Sequence, residues 1–514
     1  MTRDPLQRSL SRRRLLSSAV MIAGAVPLAF IAACSGGGAP PAAKPGEAPK
    51  PAEAPKPAAP AAAAQSTPAP AAQAPTPASN VLQPTPTDIP LATPVPQAGG
   101  TTKLLMRVHW TQPYYNDFQA IINDYNATQG PQDKTYITLE RFVANQAGPI
   151  ATFIADYQAG TQEDIYHLDD NNFPDLAARK FFQAPPKEIQ DYIKENFLEK
   201  AVESGIWDKQ IMGYPTENQP HVLFVNKALL KEVGIDVVAQ PPKTWDDLRR
   251  MAKEATKKDA SGQKTQAGWI TPFGYSGYGQ RAMAQRVLWQ FMAGSPLVDS
   301  SGPVPKWDVT SDAARQWTEF LYNIHKVDGS GSQDMGGDDV VWFQRKGAMI
   351  THDAYGLVFR VVRRGQPGLL EEQHAIPVMS PDGSKTGNTS RNYHFLISQK
   401  TKYPELAWKF SRWMNEGPDF RMQKFQTEQF GFVPSVKNYP MPSIYPEQIK
   451  NAFTESLKQP SQTLFPVIKG VPRAITIMGD KHDALVLGQL SPKEFTEQLD
   501  TELKAAMKES YDTL

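Results

Sequence analysis

Beyond residue 100 the apolar positions of the chain fall into two alternating periods. The run 103–110, Lys-Leu-Leu-Met-Arg-Val-His-Trp, is short and largely apolar, the pattern of a buried strand. Phe118, Ile121, Ile122 and Tyr125 then recur at helical spacing, and Gly130-Pro131 closes that stretch. A second strand is expected over 136–143. Ile150, Phe153, Ile154 and Tyr157 repeat the helical face up to Gly160, and 164–168 reads as a third strand. Strand, helix, strand, helix, strand at this spacing predicts an α/β fold with right-handed crossovers and a parallel-type sheet. Ligands bind beyond the carboxyl ends of such strands. Trp110 and the run Asp169-Asp170-Asn171 therefore stand where a ligand would lie, although a core tryptophan and helix-capping acids fit the same pattern. Two later helices are signed by their starts. Thr244 with Asp247 three residues on is a capping-box variant, and Pro404 suits the first turn of a helix carrying Leu406, Phe410 and Trp413.

The first hundred residues follow neither period. Residues 1–34 hold five arginines, one acid and a long apolar run, with Arg12-Arg13-Arg14 just before Leu15. This is the layout of a twin-arginine export signal, and an arginine-rich Sec signal is the alternative. Ile31-Ala32-Ala33-Cys34 resembles a lipoprotein lipobox, and the only cysteine of the chain occupies the position whose thiol takes the lipid. Cleavage before Cys34 and acylation of it would leave the mature chain anchored on the outer face of the cell membrane, since two or three acyl chains make a stable anchor. Of the next 66 residues, 36 are Pro or Ala. Such a stretch offers almost nothing to bury, so 34–100 is expected to be a lipid-anchored, disordered tether ending at Gly99-Gly100.

Charge and motif content narrow the function. The 414 residues after position 100 carry 46 basic and 49 acidic side chains, which leaves no electrostatic footprint for a nucleic acid. The chain has no H-E-x-x-H, no G-x-S-x-G and no phosphate-binding Walker loop. Its histidines show no metal-ligand spacing, His352-Asp353 being the closest approach, and no cofactor is expected. A glycoside-acting enzyme would need two carboxylates about 5–10 Å apart, for which Asp170 and Glu217 are the candidates.

Six fragments, in order, carry a family resemblance. They are Gly213-Tyr214-Pro215 with Leu223-Phe224-Val225-Asn226-Lys227, then Pro241-Pro242-Lys243-Thr244-Trp245-Asp246-Asp247-Leu248. Next come the stretch from Trp289 to Asp299 with Val309-Thr310-Ser311-Asp312-Ala313-Ala314, and Gly347-Ala348-Met349-Ile350 with Tyr355. Leu396-Ile397-Ser398 and Pro404-Glu405-Leu406-Ala407-Trp408-Lys409-Phe410 complete the series. Over residues 103–435 the chain resembles the extracellular solute-binding proteins of sugar ABC importers, the maltose-binding-protein-like family.

The resemblance implies a two-lobed, periplasmic-binding-protein-like (type II) α/β fold with a hinge and an interlobe ligand cleft. After the export signal over 1–33 and the tether over 34–100, it divides the chain into lobe 1 over 101–218 plus 395–435 and lobe 2 over 219–394 plus 436–514. It implies no catalysis, and a monomer that captures a sugar or oligosaccharide and delivers it to the permease subunits of an ABC transporter. A polyamine, peptide or glycerol-phosphate type of solute remains the alternative within the binding class. A sugar site needs aromatic faces for the ring's C–H patch and planar polar groups for its hydroxyls. Carried over by position, the ligand-binding candidates are Trp110, Asp169, Asp170, Asn171, Tyr214, Glu217, Trp289, Tyr355, Tyr393 and His394, the last two adjoining Asn392. Cys34 is the candidate lipidation site.

Overall fold

A computed structural model of the chain describes residues 91–512, apart from 109, 111–112, 142–149, 274–278, 303, 337, 354–360, 362–365 and 459–460. The export signal, the lipobox with Cys34, most of the tether and Tyr355 lie outside the described residues.

Two sheets organise the structure. In the first, the strands run in the order Thr135–Arg141, Thr102–Val108, Ile165–Asp169, Asn392–Ser398 and Phe182–Gln183, and Gly213–Asn218 also pairs with Asn392–Ser398. Thr102–Val108 lies parallel to both of its neighbours, as the repeated strand–helix spacing requires. The returning strand Asn392–Ser398 is antiparallel to Ile165–Asp169 and to Gly213–Asn218, and its register slips between Tyr393 and His394. The helices Tyr114–Ala127 and Pro404–Asn415 cover one face with Phe118, Ile122, Tyr125, Ala407 and Phe410 in a shared core.

The second sheet is ordered Gln373–Ile376, His221–Asn226, Gly347–Asp353, Lys264–Ile270, Lys257–Lys258. Its core gathers the helices Trp245–Ala255, Gly279–Ala293, Asp312–Tyr322, Val471–Leu487 and Pro492–Asp512. Trp245–Ala255 starts at the capping box read from the sequence, with Thr244 accepting from the Asp247 N–H and the Asp247 carboxylate accepting from the Thr244 N–H.

The lobes meet where the chain crosses between them, and the crossings are hydrogen-bonded to one another. The Gln219 N–H donates to the Arg391 carbonyl at 2.8 Å, the Asn218 N–H donates to the Val433 carbonyl at 3.2 Å, and Ser390 Oγ donates to Asn218 Oδ1 at 2.7 Å. Ser435 Oγ ties the third crossing to the Pro215 carbonyl. Bonds of this kind, tying the three crossings to one another between the two cores, are the arrangement of a hinge.

Candidate functional site

A cavity of about 320 Å³ opens between the lobes, beyond the ends of Thr102–Val108 and Ile165–Asp169 and against the start of His221–Asn226. Its walls differ in chemistry. Lobe 1 contributes Trp110, Tyr114, Phe430 and Phe432. Tyr114 stacks on Phe430 with ring centroids 4.3 Å apart, and Phe430 stacks on Phe432 at 5.5 Å. Backbone geometry presents this ladder. The helix Arg421–Phe425 widens into a π-turn over Gln426–Phe430, and Gly431 follows at φ 66°, in the left-handed region that suits glycine. That reversal places Phe430 and Phe432 on the same side. Trp110 sits behind them, 4% exposed and wedged among Phe118, His167 and Phe425.

Lobe 2 contributes His221, Gln280, Arg281, Ala284 and Asp353, at the beginnings of a strand and a helix and the end of another strand. The hinge supplies the floor, with Glu217, Gln219, Arg391 and Tyr393.

The floor is a buried ionic cluster. Arg391 Nη2 lies 3.5 Å from Asp170 Oδ1 and 3.8 Å from Asp169 Oδ2, and its guanidinium stands 5.2 Å over the Phe465 ring. The Asn392 N–H donates to Asp170 Oδ2 at 3.0 Å. Burial raises the Asp170 pKa to about 7; Arg391 pulls it down and Asp169 pushes it up. Glu217 is held well above the usual carboxylate range by burial, despite Gln219 Nε2 donating to it at 2.7 Å. Burial also pulls His221 down to about 4, so its imidazole is neutral at pH 7. Asp170 is therefore partly protonated near neutrality, and burial favours the protonated form of Glu217. The cluster is thus less anionic than its three carboxylates, Asp169, Asp170 and Glu217, suggest. Among the described residues no three His, Cys, Asp or Glu side chains are grouped to hold a metal ion.

Of the residues expected from sequence, Trp110, Glu217 and Tyr393 line the cavity. Asp169, Asp170 and Asn171 lie beneath it. Asp169 accepts from Asn171 Nδ2 at 2.6 Å and from Asn172 Nδ2 at 2.6 Å, and with Asp170 it holds Arg391. Three others are corrected by their placement. Tyr214 is fully buried in lobe 1, its hydroxyl bonded to Glu416, because its side of the strand faces the helices and not the cleft. Trp289 is sealed in the lobe 2 core, stacked on Trp317 at 5.5 Å, with Nε1–H donating to Thr351 Oγ1. His394 is buried against Ser204, because successive side chains of a strand point to opposite faces and Tyr393 takes the one that faces the cavity. Sequence reasoning missed Tyr114, Arg391, Phe430 and Phe432. The aromatic–Gly–aromatic triplet Phe430-Gly431-Phe432 was the available signal for two of them.

The sheets and cleft have counterparts among solved structures, at identities that bear on the fold alone. The sugar-binding protein MalE from Xanthomonas citri aligns with a TM-score of 0.65 and 15% identity, covering 79% of this chain and 98% of that one. The cyclic α-maltosyl-1,6-maltose binding protein from Arthrobacter globiformis gives 0.64 and 14%, covering 80% and 100%. The galacto-N-biose/lacto-N-biose I-binding protein of the Bifidobacterium longum ABC transporter gives 0.63 and 14%, covering 80% and 98%. No curated protein matches the chain. Residues 111–416 match the family model described as bacterial extracellular solute-binding protein. With that match spanning more than half of the sequence, the chain belongs to the bacterial extracellular solute-binding protein family, whose members are binders and not enzymes.

Proposed function

We propose that the protein captures a sugar or short oligosaccharide between its lobes and delivers it to the permease of an ABC transporter. One observation carries this reading: a flat aromatic ladder, Tyr114, Phe430 and Phe432, faces a wall of amide and charged groups across the cavity. A sugar ring has matching surfaces, an apolar C–H face for the rings and a hydroxyl edge for Gln280, Arg281, Asp353 and the floor. The volume of about 320 Å³ is at the lower end of ligand cavities, which favours a short saccharide. The sugars named for the structural counterparts support the same class. The carboxylates of the floor favour a second reading, a polyamine receptor, but Arg391 among them and the burial that disfavours a charged Glu217 oppose a cationic ligand.

A thermal-shift panel of mono-, di- and trisaccharides against spermidine and short peptides separates these readings. Binding to the folded state alone raises apparent stability by about 2.7 kcal/mol at a hundredfold excess over Kd. A di- or trisaccharide should raise the melting temperature and shrink the radius of gyration in solution. A shift with spermidine only would sink the sugar reading. A hydrolysed product that depends on Asp170 or Glu217 would overturn the receptor itself. We further propose export through the segment 1–33 and lipid anchoring at Cys34 on the outer face of the cell membrane. Cys34→Ala should then move the protein from the membrane fraction into the soluble one.

A further inference from the structure

The proline-rich stretch does not run free up to Gly99-Gly100. Between residues 91 and 100, Ala92, Val95 and Ala98 are half-buried and all the others are exposed. A burial period of three is that of a polyproline II helix lying with one edge on a surface. The surface is the outer side of the helix Tyr114–Ala127. Asn116 Oδ1 accepts from the Ala92 N–H at 2.7 Å, and Asn123 Oδ1 accepts from the Val95 N–H at 3.2 Å. Asn123 Nδ2 donates to the Thr93 carbonyl at 3.0 Å, and Tyr136 hydroxyl donates to the Val95 carbonyl at 2.7 Å. Gln119 Nε2, behind the strip, donates to Asn123 Oδ1 and orients that amide.

The two spacings match. Asn116 and Asn123 are seven residues apart, two helical turns and about 10.5 Å. Ala92 and Val95 are one polyproline turn apart, about 9.3 Å. The prolines also fix the frame. A shift of one residue in either direction would put Pro94 or Pro96 opposite one of the two asparagine oxygens, and proline has no N–H to give. Because Pro90, Pro94 and Pro96 already restrict φ, ordering this stretch costs less conformational entropy than ordering a flexible one.

We propose that the outer face of the helix Tyr114–Ala127, with Tyr136, is a recognition strip for the polyproline-type segment 92–98 of the same chain, fastening the proline-rich stretch to lobe 1. The four side-chain bonds that hold residues 92–95 all come from lobe 1, so the fastening leaves lobe 2 free to move. It also brings the fastened segment onto the helix whose first residue, Tyr114, belongs to the aromatic wall. The strip is independent of what the cleft binds.

Amide hydrogen exchange on the full chain tests this. Ala92 and Val95 should exchange about 30-fold more slowly than in an unstructured peptide of the same sequence, as two modest hydrogen bonds imply. Leu91 and Thr93 should exchange freely. Asn116→Ala/Asn123→Ala should abolish the protection while amides of the strand Thr102–Val108 stay slow. Pro94→Gly/Pro96→Gly, which changes nothing in the lobe, should also lose most of it if the strip reads a polyproline conformation. Exchange of Ala92 and Val95 at the free-peptide rate in the unaltered protein would overturn the proposal. So would protection that survives either double substitution.

Discussion

Two aromatic clusters of similar make-up serve opposite ends. In lobe 2, Trp245, Trp269, Trp289, Trp317 and Phe320 pack ring to ring, none more than 5% exposed. Two of their polar edges are satisfied internally, Trp245 Nε1–H donating to the Met379 carbonyl and Trp289 Nε1–H to Thr351 Oγ1, whereas Trp269 Nε1–H is buried without a partner among the described residues. In lobe 1, Trp110, Phe118 and Phe425 begin a similar cluster, but it continues through Phe430 to Tyr114 and Phe432 and ends at the cavity. Helices close the first cluster on its sides, whereas a π-turn and a left-handed glycine leave the second with an open edge. Residue type is common to both; backbone geometry at the edge decides whether a ring packs the interior or faces a ligand.

The largest effect should come from breaking the sealed cluster. Trp289→Ala removes a fully buried indole stacked on Trp317, together with its bond to Thr351. Truncating such a ring costs about 3–5 kcal/mol, read as a lower urea midpoint with an unchanged slope. Any loss of ligand affinity should then be explained by the fraction unfolded. A Trp289→Ala protein of full stability that cannot bind would place this ring back in the site.

Tyr114→Ala should do the converse. Tyr114 is half-buried on the open edge, and its loss should lower affinity for the saccharide found in the thermal-shift panel by about 5- to 30-fold, for about 1–2 kcal/mol of stacking. Stability should change by less than about 1 kcal/mol. Titration calorimetry and urea unfolding of the same sample measure both. Trp110→Ala should fall between, losing affinity and stability together, because that ring is 4% exposed and packed on three sides.

The contrast between the clusters also marks what was legible in the sequence. The strands at Thr102–Val108, Thr135–Arg141 and Ile165–Asp169 and the helices between them follow from local periodicity, and periodicity survives folding. The capping box at Thr244 is equally local. Trp110 reaches the cavity because it stands at a strand end, where topology predicts a ligand, whereas Glu217 and Tyr393, beside a crossing, were legible only through the family resemblance. Trp289, Tyr214 and His394 required knowledge of which side of an element faces the cleft, and that depends on long-range pairing. Strand alternation puts the neighbours Tyr393 and His394 on opposite faces, and only the pairing partners decide which of the two meets the cavity. Phe430 and Phe432 were hidden for a further reason: a π-turn breaks the 3.6-residue period by which a helical face is recognised. The reading of 34–100 as one uniform tether followed composition, which does not register that Asn116 and Asn123, 24 and 28 residues beyond Ala92 and Val95, bind its last turns.

A further effect concerns protons and separates the two regions once more. The lobe 2 core buries His325 and His482 with pKa values drawn down by burial to about 3 and about 4. The cleft floor buries Asp170 with its pKa drawn up to about 7. The signs are opposite. A histidine with a lowered folded pKa contributes stability above its unfolded value near 6.5, and that contribution is lost as the pH falls. A carboxyl with a raised folded pKa holds its proton more tightly in the folded state. Its contribution is full below the unfolded value of 3.8 and is lost as the pH rises to about 7. In the parent the two trends oppose each other, so total stability over this range says little. The difference between parent and Asp170→Asn isolates the carboxyl, because the histidines titrate in both. Asp170→Asn is permanently neutral, so its stability relative to the parent should climb between pH 4 and pH 7, by no more than about 1.4 kcal/mol per pH unit, and then level off. The weakened pairing with Arg391 adds an offset that does not follow this slope. Urea unfolding at half-unit intervals measures it. A pH-independent difference would mean that Asp170 is already ionised at pH 4, and that Arg391, not burial, governs the floor of the cleft.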